Sequence, residues 1–197
     1  MTELAEWIAA TQPKTRVRVA VDGPEAADPH GLADALVAPL RVLGRPVFRV
    51  RTTDFLRPAS LRFEQGRHNP DSFYSGWLDE SGLRREVLDP AGPNGSGRVL
   101  PSLWNAQTDR ATRADYVSLA ANTVVVVSGA LLLGGGLPFD LTVHLEMSPA
   151  ALARRTAVEQ AWTLPAFARY AEEVRPASFA DVVVRIDDPR RPALLRR

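Results

Sequence analysis

The chain reads as a three-layer α/β domain with a mainly parallel central sheet, on the strength of three features. A β-branched run at Val17–Val21 is followed by leucines at helical spacing (Leu32, Leu36, Leu40, Leu43), then by a second short apolar run at Pro46–Arg51. Strand, helix and strand within about thirty-five residues fit a βαβ unit, which requires parallel strands. A third run, Asn122–Val127, is the most apolar of the chain, as expected of a central strand covered on both faces.

The remaining elements follow in order. Residues 2–11 are amphipathic and predict a short N-terminal helix whose Trp7 and Ile8 dock on the body. The helix over 32–43 stops at Gly44. Residues 56–77 are rich in Arg, Pro, Asn, Ser and aromatics and read as a long ordered loop of the kind that often carries function. Leu78–Leu88 predicts a short helix capped by Asp79 or Ser81, and 89–97 (DPAGPNGSG) is a turn cluster. Val99–Trp104 and Asp140–Leu145 predict strands. Ser148-Pro149 opens a helix through Gln160, with Ser148 as N-cap, and Asp181–Ile186 is expected as the last strand. No repeat or linker interrupts this order, so residues 1–197 are expected to form one domain, with 1–14 as an N-terminal helix or extension.

Composition narrows the function. The chain has 197 residues, 45% of them apolar, which suffices for an ordinary core. The absence of cysteine excludes disulfides, Cys-ligated zinc and thiol catalysis. The net charge of +1 gives no broad attraction to nucleic acid. The segment MTELAEWIAATQPK carries Glu3 and Glu6 and lacks the basic region of a signal peptide. Thr123–Leu133, the longest apolar run, is too short to span a bilayer. The expectation is a cytoplasmic protein that partners neither membrane nor nucleic acid. Lys14 is the only lysine.

Several local wordings coincide in order. VRVAVDG is followed by LADAL, and FRVRTTDFLRP contains an Asp-Phe-x-Arg-Pro turn. GRHNPDSFYSGWLD, LRREVLDPAGPNG, LWNAQTDR, VVVVSGALLL and ADVVVRIDDPRRP come after them. In this sequence of pieces the chain resembles the uridine kinase family of P-loop nucleoside kinases, in particular its short actinobacterial members, from about Val17 to Pro192. The resemblance implies a P-loop NTPase-like fold and a site where ATP donates phosphate to a nucleoside.

The donor half departs from that pattern. A working phosphate loop reads G-x-x-x-x-G-K-[ST]. With Gly23 at the first glycine, Asp28 falls on the second, Pro29 on the lysine and His30 on the hydroxyl residue. Pro29 offers neither N–H nor cation. Asp28, with Glu25 beside it, puts carboxylates where phosphate oxygens would lie. His30 is a poor substitute for a hydroxyl on magnesium. Lys14 lies before the first strand, and an arginine is a planar fork rather than a point charge. Ser128-Gly129 stands in place of the family's Asp-Gly. Thr53 replaces one of two expected acceptor-side aspartates while Asp54 retains the other, and the Arg-Asp pair expected after Arg154 and Arg155 is missing. ATP-dependent transfer is therefore not expected, no cofactor is implied, and ATP with magnesium is poorly suited to this loop.

The acceptor half is better kept. The resemblance implies that Arg57, Arg67, His68, Phe73, Tyr74, Trp104, Asp109 and Arg110 contact a nucleoside-like small molecule. Each also has an ordinary reading: Asp109 and Arg110 as a surface ion pair, Phe73 and Tyr74 as core. Asp54, His30 and Glu25 are the candidate catalytic groups, converging at the mouth of the first strand. Their ordinary reading is a solvated turn at a helix N-terminus. His144 reads as a satisfied strand histidine, and no spacing supports a metal site. Three functions remain open: a binding or partner protein, a repurposed enzyme doing ATP-independent acid–base chemistry such as a biosynthetic step, and an unorthodox active nucleoside kinase. Kinases of this fold associate, so a homo-oligomer is compatible with the resemblance, though no stripe names its interface.

Overall fold

The chain enters through α1 (Thr2–Ala10), which buries Leu4, Ala5 and Ile8 and packs Trp7 against the same core, as its amphipathic pattern predicts. The computed structural model describes residues 2–188, 190 and 192–196. The anchor of this helix is Arg45, which is almost fully buried. Its guanidinium donates to the carbonyls of Asn122 (2.7 Å), Ala9 (2.8 Å), Thr11 (3.2 Å) and Thr15 (3.1 Å). β1 (Val17–Asp22) follows and is buried at all six positions. The single helix expected over 32–43 is two, α2 (Pro29–Ala35) and α3 (Val37–Val42). Pro39 has no N–H for the carbonyl of Ala35, so the helix re-forms around Leu36. Leu36 and Leu40 are buried as the spacing predicts, whereas Leu43 is 44% exposed. Gly44, at φ +76°, ends the run in the left-handed conformation that glycine takes without strain. β2 (Val47–Arg51) completes the unit.

The middle of the chain holds more structure than its composition suggests. Segment 56–77 is not a loop throughout: it contains α4 (Ala59–Arg62) and α5 (Pro70–Gly76). Both are too short to leave a periodic signal, but Asn69-Pro70 is a capping pair, with the Asn69 side chain accepting from the Ser72 N–H. Asp79, and not Ser81, caps α6 (Glu80–Leu83), accepting from Gly82 at 2.8 Å. A wider π turn, Arg84–Leu88, continues into α7 (Asp89–Ala91). The strand expected at 99–104 is divided. β3 (Arg98–Val99) and β4 (Trp104–Asn105) pair antiparallel with β6 (Val117–Ser118) and β5 (Arg110–Ala111) respectively. The β4–β5 turn uses Asp109 at φ +53° in place of a glycine, which hides the hairpin from a search for Asn-Gly or Asp-Gly.

β7 (Val124–Gly129) is parallel to both β1 and β2 and lies between them, so the first two strands are parallel but not neighbours. β8 (Leu141–Glu146) pairs on the other side of β1. Ser148 caps α8 (Pro149–Arg155). This helix stops five residues short of Gln160, because the Thr156 N–H and hydroxyl both take the Leu152 carbonyl and the backbone then turns extended. A 3₁₀ turn, Val158–Thr163, leads into α9 (Leu164–Glu173). β9 (Val182–Arg185) pairs parallel with β8, and it is not the last strand: β10 (Ala193–Arg196) adds antiparallel to its edge.

The sheet order is β10-β9-β8-β1-β7-β2. Val17, Val19 and Val21 face one core with α1, Leu36 and Leu40; Ala20 faces the other with Phe55, Leu83 and Tyr170. That alternation makes three layers. The chain crosses from one side of β1 to the other between β7 and β8, so the crevice outside the C-terminal end of β1 is a topological switch point, the place where open α/β sheets bind ligands. No helix among the described residues is long and apolar enough to cross a membrane. Replacing Arg45 by alanine strands buried carbonyls, so Arg45→Ala is expected to lower stability by at least about 2 kcal/mol in urea unfolding and to speed amide exchange in α1 ahead of β1.

Candidate functional site

β1 ends on a fully buried carboxylate, Asp22. Its Oδ1 accepts from the Leu132 N–H at 2.9 Å. Its Oδ2 is 2.7 Å from His144 Nδ1 and accepts from the Tyr170 hydroxyl at 3.0 Å. The Tyr170 oxygen in turn accepts from the Leu133 N–H at 2.9 Å. Burial first, and then the charge of Asp22, raise the Tyr170 pKa far above the ordinary phenol value, so this group stays protonated. His144 is therefore satisfied at Nδ1, as a strand histidine is expected to be. Its partners, Asp22 and Tyr170, are absent from the sequence-based candidates because they lie on elements remote in the chain.

The next residues form the loop between β1 and α2. A Cβ on Gly23 would stand 2.7 Å from that of Leu145, so close packing against β8 requires a glycine here. Glu25–Ala27 make one 3₁₀ turn. Asp28 then takes a left-handed conformation, φ 56° and ψ 59°. Its N–H donates to the Glu25 carbonyl at 2.9 Å, and its carboxylate accepts from the Gly31 N–H at 2.8 Å. Pro29 occupies the first turn of α2. The N-terminus of this helix is thus capped by the loop's own carboxylate.

At the second residue of α2, His30 Nδ1 lies 2.7 Å from Ser128 Oγ at the end of β7. Arg49 donates to the same oxygen at 3.0 Å and pairs with Asp34 at 2.9 Å. Arginine only donates, which leaves the Ser128 hydroxyl proton available to His30 Nδ1; in that tautomer the neutral ring carries its own proton on Nε2. Burial, helped by the charges of Arg51 and Arg49 and opposed by Glu25 and Asp28, lowers the His30 pKa. Asp54, in the 3₁₀ turn Thr52–Phe55, has its pKa raised, chiefly by burial, while Arg51 and His30 act against the rise.

His30, Glu25, Pro29 and Gly23 line a cavity of about 570 Å³ together with Thr52 and Thr53. The opposite wall is aromatic. Phe73 packs edge-on against Trp77 (5.3 Å), Trp162 (5.6 Å) and Phe167 (5.8 Å). Tyr74 lines the cavity too, with its hydroxyl on Glu173 and Arg169 over its ring. Glu80 and Arg155 also reach the wall, and burial raises the Glu80 pKa. Trp77 Nε1 is buried without an acceptor among the described residues.

The other candidates stand outside this lining. The Arg57 backbone bridges Trp77 and Arg62. Arg67 lies over the Phe63 ring at 5.1 Å, and His68 packs on Trp162 at 5.5 Å. Asp109 accepts from Trp104 Nε1 (3.0 Å) and the Ala59 N–H (2.8 Å), contacts that hold its pKa low, and Arg110 is an exposed residue of the hairpin. Sequence reasoning overlooked Trp77 and Phe167 as lining residues and gave no site role to Arg155, the last residue of α8. No group of three His, Asp or Glu side chains that could hold a metal ion stands together among the described residues.

No protein-family model matches the sequence, and no curated protein does. Solved structures do match. A possible uridine kinase from Bacillus stearothermophilus aligns with a TM-score of 0.73 at 21% identity, over 92% of this chain and 95% of that one. A proposed fructose transport system kinase from Silicibacter sp. TM1040 aligns with a TM-score of 0.56 at 21% identity, over 85% and 87%. The YGR205w protein aligns with a TM-score of 0.57 at 13% identity, over 98% and 94%. With its six-stranded, mostly parallel sheet between helical layers, the chain has the fold of P-loop kinase-like proteins.

Proposed function

We propose that this protein binds a nucleoside-like small molecule in the cavity between His30 and the aromatic wall, and that it does not transfer phosphate from ATP. The observation that carries this reading is Asp28. Its carboxylate occupies the helix N-terminus that a phosphate loop would keep for an anion, and Pro29 beside it removes a further donor. A phosphate arriving there meets a fixed negative charge in place of N–H groups and a lysine. MgATP therefore does not fit these residues, and no step is routed through it.

The cavity itself suits a flat, partly polar ligand. Phe73, Trp77 and Phe167 offer ring edges and faces for a base. His30 offers an Nε2–H donor, its orientation set by Ser128, Arg49 and Asp34. A nucleoside is the ligand class suggested by the uridine kinase in the name of one structural neighbour. Glu25 lines the cavity with His30, and a second reading, acid–base chemistry on the bound molecule, rests on this pair; Asp54, whose pKa is raised by burial, stands outside the lining. The same reading places the protein in the cytoplasm, where nucleosides are available.

Calorimetric titration with ATP and magnesium is expected to give no heat. Binding tighter than about 100 μM, roughly −5.5 kcal/mol, would restore the kinase reading. Uridine is expected to quench the fluorescence of Trp77, which lines the cavity, and His30→Ala to weaken that binding about two- to tenfold, the effect of one lost hydrogen bond. The depressed His30 pKa has a sign that can be checked. The neutral ring is favoured on folding, so its contribution is complete above the unfolded value of 6.5 and is lost as pH falls through the lower folded value. The stability advantage of the native chain over His30→Gln is expected to shrink on acidification, measured as melting temperature against pH.

A further inference from the structure

On the far side of Gly23 and Pro24 lies a second cavity, of about 560 Å³. Its wall is largely apolar, with Leu131, Leu145, Met147 and Phe167. His144 is part of the same wall. We propose that His144 is an acid–base residue of a second ligand site, and that this site takes a small, mainly apolar molecule carrying an acidic hydroxyl, such as a phenol.

The orientation of the imidazole supports the assignment. Asp22 has three donors around it: the Leu132 N–H, the Tyr170 hydroxyl and His144 Nδ1. A carboxylate only accepts, so Nδ1 carries the proton, and in the neutral ring the lone pair sits on Nε2. No described residue bonds Nε2. A histidine that donates Nδ1–H to a buried carboxylate and turns Nε2 to a cavity has the arrangement of a general base with its orienting anion. His30 is the reverse in the tautomer that takes the Ser128 proton on Nδ1 and carries its own on Nε2. The two histidines on either side of Gly23-Pro24 therefore offer a donor to one cavity and an acceptor to the other.

The charge around the cavity fits an occupant that becomes an anion. Two carboxylates and two arginines line the cavity: Arg185 is paired with Glu146 at 2.7 Å, Asp187 accepts from the Ser148 N–H at 2.7 Å, and Arg175 has no carboxylate partner among the described residues. In the proposed step the hydroxyl proton moves to His144 Nε2 and the O–H electron pair stays on the ligand oxygen. The imidazolium is held by Asp22, and the proton returns when the ligand leaves. No oxidant, reductant or metal is needed for this balance.

4-Nitrophenol tests the proposal, because its anion is yellow and its neutral form is not. At a pH below the probe's own midpoint, the native chain is expected to generate a saturable phenolate band. His144→Gln, which keeps the size and polarity of the ring, is expected to reduce that band at least tenfold. Absence of the band with the native chain, or its persistence in the variant, overturns the proposal. A measurement on the native chain covers the case of a variant that does not fold. Ring-nitrogen NMR is expected to show one histidine protonated on Nδ1 whose Nε2 becomes protonated as 4-nitrophenol is added. If all three ring spectra stay unchanged, His144 has no such role.

Discussion

A carboxylate shut away from water costs several kcal/mol unless every lone pair is used, and Asp22 is such a group at the most central point of the sheet. Its partners come from the loop after β7, from β8 and from α9. Satisfying one side chain thus fixes three elements against the end of β1. The Tyr170 hydroxyl extends the same network to the Leu133 N–H, tying the glycine-rich segment 134–136 to the sheet through its leading residues. Both cavities open from this place. Of the residues that line both, Gly23, Pro24, Leu131 and Phe167, the first two follow Asp22 directly in the chain, so the site inherits its geometry from the way this carboxylate is satisfied.

Arginine does much of the remaining work of holding the chain together. Arg45 binds four main-chain carbonyls with no carboxylate present. Arg18 grips Asp140 with two nitrogens at 2.9 and 2.7 Å, next to the start of β8. Arg49 joins Asp34 to Ser128 and so to His30. A planar fork with five donors suits such bridging, whereas a lysine offers a rotating point charge. A chain with a single lysine therefore leaves this bridging to arginine, and Arg49 and Arg51 are both engaged with Asp34.

The parts of the fold legible in the sequence are those whose signal is local and strong. Val124–Gly129 is a β-branched run with no polar residue before Ser128, Val17–Asp22 carries three alternate valines around Arg18 and Ala20, and Ser148-Pro149 announces a capped helix. The breaks at Leu36 and Thr156 escaped because leucine spacing carries across a proline and because a threonine hydroxyl competing for a carbonyl has no periodicity. β10 escaped because an antiparallel edge strand of four residues after a proline looks like any tail. At the site, His30 and Pro29 stood out as departures from a known spacing, and Phe73 and Tyr74 were placed by resemblance. Asp22, His144 and Tyr170 were not assembled, since the pairs are 122 and 148 residues apart and nothing in either neighbourhood names the other. Asp109 shows the converse case. Its sequence neighbour suggested a pair with Arg110, while the fold gives it to Trp104 and the Ala59 amide.

Gly23 has no room for a side chain because β8 presses on it, and Pro24 has few conformations to choose from. Of the four residues that line both cavities, Gly23, Pro24, Leu131 and Phe167, these first two are the ones whose main chain has least freedom, so the boundary between the cavities is set by backbone packing before any side chain is placed.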